Sequence, residues 1–144
     1  MVSFQIVMEE NPNPADIRAI REGLRVFNQQ FVPGDDYRPV TILLRGVDQT
    51  VVGGLLGATN WGWLHVDILW LDEPARNQGL GSQLLAAAEK EALQRGCRHI
   101  HLDTMDFQAL VFYKKCGYTI WGELEDMPAG HRCYFLQKSL IPGE

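Results

Sequence analysis

A strand, a glycine-containing loop and a helix follow one another directly between residues 63 and 95. Residues 63–71 alternate and then run apolar, which is typical of a strand. The apolar residues after the loop recur at helical spacing: Leu80, Leu84, Leu85, Ala88 and Ala92. Gly96 is expected to end this helix, and a second strand pattern, residues 98–103, follows it. A strand, helix and strand in this order form a crossover with two parallel strands, so the chain must fold around a sheet that contains such a pair.

The loop itself, Arg76–Gly81, has the composition of an anion site. At the start of a helix several backbone N–H groups lack partners, and the helix dipole is positive there. Gly79 and Gly81 allow close approach of a ligand to the backbone. The loop lacks the Lys-Ser/Thr ending of a nucleoside triphosphate loop, and Leu84 stands where a dinucleotide loop has its third glycine. The alternative is a plain turn between strand and helix.

Similar patterns along the rest of the chain complete the predicted order of elements, β-α-β-β-β-α-β-α-β-β. Strands are expected at 4–8, 40–45, 51–59, 62–71, 98–103, 118–123 and 132–138, and helices at 15–30, 79–95 and 107–116. Asn13 and Pro14 supply the N-cap and first residue of the first helix. These patterns predict an α/β fold with a mixed, mostly antiparallel central sheet flanked by helices.

Length and composition restrict the class of protein. The 144 residues suit one domain, 1–144, and 46% hydrophobic with 22% charged residues is typical of an ordinary globular protein. The net charge of -5 argues against a nucleic-acid partner. Three widely separated cysteines indicate reduced thiols and a cytoplasmic protein. Neither a signal peptide nor a run of membrane-spanning length is found, so no membrane partner is expected.

A second motif accompanies the loop: Ala109, Phe112, Tyr113, Lys115, Gly117 and Tyr118 fit the pattern A-x-x-F-Y-x-K-x-G-F/Y. With Arg76–Gly81 as R/Q-x-x-G-x-G/A, the pair resembles the GNAT superfamily of N-acetyltransferases. The predicted element order is similar to that family's fold over nearly the whole chain. The resemblance implies an acetyl-CoA-dependent N-acetyltransferase that moves the acetyl group directly to a primary amine of an unidentified acceptor.

The resemblance also implies which residues bind acetyl-CoA. In the family two parallel strands splay apart and the pantetheine arm lies in the gap, beside the first strand. By position the cofactor-binding residues are Leu69, Trp70, Leu71, Arg76, Asn77, Gln78, Gly79, Leu80, Gly81, Ser82, Ala109, Phe112 and Lys115. The pyrophosphate is expected on the backbone N–H groups of residues 78–82.

Tyr113 resembles the family's general acid, which protonates the departing thiolate. The alternative is an aromatic core residue. The candidates for the general base are His65 and Asp67, which share one strand face by their period-2 spacing. Asp67 could instead orient the cationic amine, and His65 could be an ordinary strand residue.

Three further groups of polar residues could contribute to a site. Many family members have asparagine at the place of Asp106, where an aspartate suits an N-cap for a helix that starts at Phe107. His99, His101 and Asp103 share a strand face, but no fourth ligand is suggested and no metal is expected. Charged residues in loops are expected to be solvated, and the alternative is that they border the acceptor cleft: Asp35, Asp36, Glu123, Glu125, Asp126 and His131.

Three alternatives stay open from the sequence. The chain could be a non-catalytic module that binds or senses acyl-CoA, or an acyltransferase that uses a longer acyl-CoA. The acceptor could be a small molecule or a protein, and the family resemblance is compatible with a homodimer.

Overall fold

The computed structural model describes residues 2–34 and 36–143. The chain divides into two compact units, Met1–Asp35 and Asp36–Glu144. The single domain expected from the sequence stays a prediction. In the part of the chain that the structure describes, no helix is both long and apolar enough to cross a membrane.

The first unit contains one helix, α1 (Pro14–Asn28). Its start is as expected: the Asn13 side chain accepts a hydrogen bond from the Ala15 N–H at 2.9 Å, and Pro14 is the first helical residue. The predicted strand at 4–8 is wrong, because residues 2–9 have no regular secondary structure. Alternation of apolar residues favours a strand, but a strand also requires a hydrogen-bonded neighbour.

The second unit is a six-stranded sheet with two helices. Its elements are β1 (Arg38–Arg45), β2 (Val51–Asn60), β3 (Trp63–Leu71), α2 (Leu80–Gln94), β4 (His99–Met105), α3 (Leu110–Lys115), β5 (Thr119–Glu125) and β6 (Arg132–Ser139). The strand order is β1-β2-β3-β4-β6-β5, and β3 and β4 are parallel while the other pairs are antiparallel. The predicted mixed, mostly antiparallel sheet and the β3-α2-β4 crossover are therefore confirmed.

The core lies on the side of the sheet that α2 covers. Leu85, Ala88 and Ala92 of α2 form one buried cluster with the inward residues of the strands, among them Leu64 and Ile100. At the end of α2 the Arg95 Nη1 donates to the carbonyls of Arg38 and Pro39 and to the Thr59 hydroxyl, at 3.1, 3.2 and 3.1 Å. These bonds fix the far end of α2 against the β1-β2 pair, and Gly96 (φ +84°) ends the helix as expected.

Candidate active site

The loop between β3 and α2 is braced by its own side chains. A short 3-10 turn, Glu73–Ala75, follows β3. The Arg76 Nε donates to the Leu71 carbonyl at 2.9 Å, and the Gln78 Nε2 donates to the Pro74 carbonyl at 2.8 Å. The sequence predicted both residues as cofactor-binding. In the structure each forms a hydrogen bond that holds the loop in its conformation.

Backbone geometry at the start of α2 supplies free N–H groups. Gly79 is the N-cap, in the left-handed region at φ +78°, and Asn77 also has a positive φ of +61°. The first helical hydrogen bond runs from the Gln83 N–H to the Gly79 carbonyl at 3.2 Å. The N–H groups just before Gln83 are those that a helix cannot satisfy internally. The loop is thus built to present several N–H donors and a positive helix end to an anion.

Parallel pairing between β3 and β4 is short. It runs from Trp63↔His99 to Val66↔Leu102 and stops there, although β3 continues to Leu71. Beyond Val66, residues Leu69, Trp70 and Leu71 pair on one side with β2 only. The edge of β3 that faces β4 therefore has unpaired backbone N–H and carbonyl groups along the gap between the two strands.

Asp67 occupies a β-bulge where the parallel pairing ends. Leu56 pairs with Ile68 and Gly57 with Val66, so Asp67 is the extra residue of β3. Bulges next to active sites re-aim a side chain. Asp67 and His65 line one cleft, on the face of the sheet opposite to α2.

His101 of β4 lies beside His65 in the same cleft. The two rings stack, with centroids 4.6 Å apart and planes at 26°. Partial burial lowers the pKa of His101, and the nearby His65 lowers it further, whereas Asp103 opposes both. From the sequence alone, His101 stood out only as a candidate metal ligand. Its parallel register with His65 was the signal that could have placed it in this site.

The cleft is broad and mainly aromatic. Its volume is about 880 Å³, and half of its twelve lining residues are aromatic or imidazole side chains: Tyr37, Trp61, Trp63, His65, His101 and Trp121. Among the described residues that line it, Asp67 is the one carboxylate and none is Lys or Arg. The charge of the lining therefore disfavours an anionic ligand.

Tyr113 lies on α3, in the core on the other face of the sheet. Its side chain is 6% exposed, and burial, followed by the nearby Cys116 and Asp103, raises its pKa to about 12. Its ring contacts those of Phe112 and Tyr118, with centroids 5.1 and 5.8 Å apart. The structure therefore does not bring Tyr113 into the cleft with His65 and Asp67.

The two sequence motifs contact each other where α3 passes the start of α2. A Cβ added to Gly81 would lie 3.4 Å from the Phe112 ring. The Ala109 N–H donates to the Thr104 hydroxyl at 3.2 Å, which ties the start of α3 to β4. Lys115 is exposed in the last turn of α3.

One expectation about the later loops is wrong. Helix α3 starts at Leu110, and Asp106 does not cap it. Instead the Asp106 carboxylate accepts from the His131 ring at 2.9 Å and from the Arg132 N–H at 2.9 Å. Hydrogen bonds to residues distant in the chain thus replace the predicted local N-cap.

The acidic loop residues are not among those that line the cleft, which agrees with the expected solvated charges. Glu123 and Glu125 pair with Arg132 at 2.9 and 3.1 Å, and Asp126 accepts from the Gly130 N–H at 3.4 Å. Asp36 accepts from the Trp61 N–H at 3.2 Å. Asp35 lies outside the described residues.

Comparison with known proteins identifies the family. The model of the acetyltransferase (GNAT) family matches residues 4–118, which include both motifs. The chain belongs to the GNAT family. This GNAT protein is 40% identical over 121 residues to Acetyltransferase Atu2258 of Agrobacterium fabrum, covering 84% of this chain and 88% of the relative. It is 45% identical over 91 residues to Blasticidin-S acetyltransferase of Streptomyces morookaense, covering 62% and 67%.

The solved structures agree with the relatives. An acetyltransferase from Bacillus cereus has a TM-score of 0.82 to this chain at 34% identity, over 92% of this chain and 97% of that one. Together with the family match, these relatives establish the chain as an acetyl-CoA-dependent acetyltransferase of the GNAT family. The predicted family, fold and enzyme class are confirmed.

Proposed function

We propose that this GNAT protein transfers the acetyl group of acetyl-CoA directly to a primary amine of a small acceptor. The observation that carries the proposal is the divergence of β3 and β4 after Val66↔Leu102. At one end of the gap lies the N–H-rich loop, and at the other lies the aromatic cleft. Acetyl-CoA enters from the loop side and the amine from the cleft side.

The loop is assigned to the pyrophosphate. The backbone N–H groups of residues 78–82 donate to the phosphate oxygens, and the positive end of α2 favours their charge. Arg76 and Asn77 set the conformation of the loop. Because Gly81 has no Cβ, it leaves room for the cofactor beside the Phe112 ring.

The pantetheine arm is assigned to the open edge of β3. Its amide groups match the backbone groups that Leu69, Trp70 and Leu71 leave unpaired toward β4, as an added strand would. The Leu71 carbonyl is excepted, because it accepts from the Arg76 Nε. Ala109, Phe112 and Lys115 form the other side of the path on α3.

Tyr113 is assigned the role of general acid. With a pKa raised to about 12, its phenol keeps its proton at neutral pH and can donate it to the leaving sulfur. The amine nitrogen attacks the thioester carbonyl carbon, a C–N bond forms and the C–S bond breaks. Tyr113 protonates the thiolate and regains its proton from solvent.

The base is assigned to the Asp67 and His65 pair. The attacking amine must lose a proton, and both side chains line the cleft beside the end of the parallel pairing. Asp67 accepts the proton or holds the ammonium form until His65 accepts it. No metal takes part in this scheme.

An amine screen tests the proposal. Release of free thiol from acetyl-CoA is followed with a panel of amines that includes blasticidin S, because the relative at 45% identity is named for it. Propionyl-CoA and succinyl-CoA serve as acyl-chain controls. Thiol release that depends on one class of amine supports the proposal, and no release with any amine contradicts it. The homodimer and the cytoplasmic location stay predictions.

A further inference from the structure

The turn between β2 and β3 has an unfavourable residue at its tip. Trp61 and Gly62 form a two-residue hairpin connection, with φ values of +51° and +82°. Two positive φ angles are the mark of a type I′ turn, in which Asn-Gly is the preferred pair. A bulky side chain at positive φ is an outlier, because its Cβ crowds the backbone. Backbone conformation therefore does not explain a tryptophan at this place.

Core packing does not explain Trp61 either. Its side chain is 53% exposed and lines the aromatic cleft. The Trp61 N–H donates to the Asp36 carboxylate at 3.2 Å, which holds the backbone of the turn without using the ring. Backbone strain of this kind persists at ligand sites, where the side chain has a use.

Trp121 is presented to the same cleft by a second irregularity. Ile120 pairs with Leu136 and Gly122 with Phe135, so Trp121 is the extra residue of a bulge in β5. Its ring is 59% exposed and rests against Phe135 at a centroid distance of 5.5 Å. Two large flat rings thus border one cleft from separate elements.

From this arrangement we infer that the acceptor is a primary amine carried on a flat aromatic or heteroaromatic group, uncharged or cationic, whose ring stacks on Trp61. The inference rests on the proposed function and names its substrate class. A flat ring stacks on an indole better than a puckered one. The described residues that line the cleft include Asp67 but neither Lys nor Arg, which disfavours an acidic acceptor.

The distance along β3 sets the length of the acceptor. Asp67 lies four residue steps along β3 from Trp63, which is next to the turn, and at about 3.3 Å per step this is roughly 13 Å. The amine must reach the Asp67 end, where β3 and β4 diverge. The ring and the amine of the acceptor are therefore separated by a linker of several bonds.

A series of ω-phenylalkylamines with increasing linker length, each with its cyclohexyl counterpart, tests the inference. The two members of each pair share charge and length and differ in flatness. We expect wild-type kcat/KM to favour the phenyl member roughly three- to tenfold at the best linker length. Trp61→Asn should remove most of this preference. Because Asn suits the turn, the variant should unfold at the wild-type temperature or above it.

Gln49→Asn is the matched control. Gln49 has φ +68° in the β1-β2 turn and does not line the cleft. This variant therefore also places Asn at a positive φ, but away from the cleft. It should keep the wild-type preference. Equal rates for phenyl and cyclohexyl amines, or an unchanged preference in Trp61→Asn, would overturn the inference and leave the proposed function standing. Absence of thiol release with every amine would contradict the proposed function itself, and the inference with it.

Discussion

Asp67 and Trp121 share a backbone setting: each is the extra residue of a β-bulge, and both line the same cleft. Asp67 stays on the face of β3 that carries His65, as strand alternation predicts, and the bulge shifts the residues that follow it. A carboxylate at the end of the parallel pairing and an exposed indole of β5 therefore border one cleft. This is the basis for assigning the amine and its carrier to this face.

The two candidate bases can be separated by substitution. Asp67→Asn and His65→Gln each remove one proton acceptor at similar size, and loss of a general base lowers kcat by roughly 10²-fold or more. We expect the larger loss for Asp67→Asn, with KM for acetyl-CoA unchanged in both variants. Steady-state kinetics with a saturating amine is the measurement. Wild-type kcat in both variants would exclude a base in the cleft.

Tyr113 and Tyr118 form a matched pair of buried tyrosines. We expect Tyr113→Phe to lower kcat by about 10²-fold or more while the Kd of acetyl-CoA stays the same, because only the proton donor is lost. Tyr118→Phe should keep wild-type kcat. Its hydroxyl is buried with no hydrogen-bond partner among the described residues, so its removal should not lower the free energy of unfolding. Equal kcat in both variants would remove the acid role of Tyr113.

Substitution of the glycines at the two ends of α2 distinguishes an effect on cofactor binding from an effect on stability. Gly79 (φ +78°) and Gly96 (φ +84°) both have left-handed conformations, and an added Cβ at either position meets no atom within 4 Å. Alanine at either should therefore cost about 1 kcal/mol of unfolding free energy through backbone strain alone. Calorimetric titration should show weaker acetyl-CoA binding for Gly79→Ala only. Equal binding by the two variants would place the pyrophosphate elsewhere.

The partial burial of His101 makes stability depend on pH. Burial lowers the pKa of His101 in the folded protein, so between the folded and unfolded values the unfolded state binds more protons. Its contribution to stability is present above the unfolded pKa and is lost as the pH falls through the folded pKa. Urea unfolding at about pH 7.5 and about pH 5.5 should show a smaller loss in His101→Gln than in wild type. An equal loss would contradict a pKa lowered by burial.

Local sequence was enough to predict most of the elements. The β3-α2-β4 crossover and the left-handed end of α2 at Gly96 both depend on residues close in the chain, and both are confirmed. Asn13 as the N-cap of α1 is another such case.

Features that depend on distant partners were not predictable. Asp106 is drawn to His131 and Arg132, and the start of α3 moves to Leu110. The bulges at Asp67 and Trp121 arise from the register between strands, which alternation along one strand does not report. His65 and Asp67 were predicted from strand alternation, whereas His101 and Trp121 join them in one cleft only in the folded sheet.

A single-turnover reaction tests the central claim most directly. Enzyme in excess is first incubated with acetyl-CoA and is then mixed with the best amine of the screen. Free thiol, acetylated amine and the mass of the protein are followed throughout. Direct transfer predicts one acetylated amine for each thiol released, with no acetyl group on the protein at any time. Thiol release before the amine is added, accompanied by an acetylated protein, would contradict direct transfer.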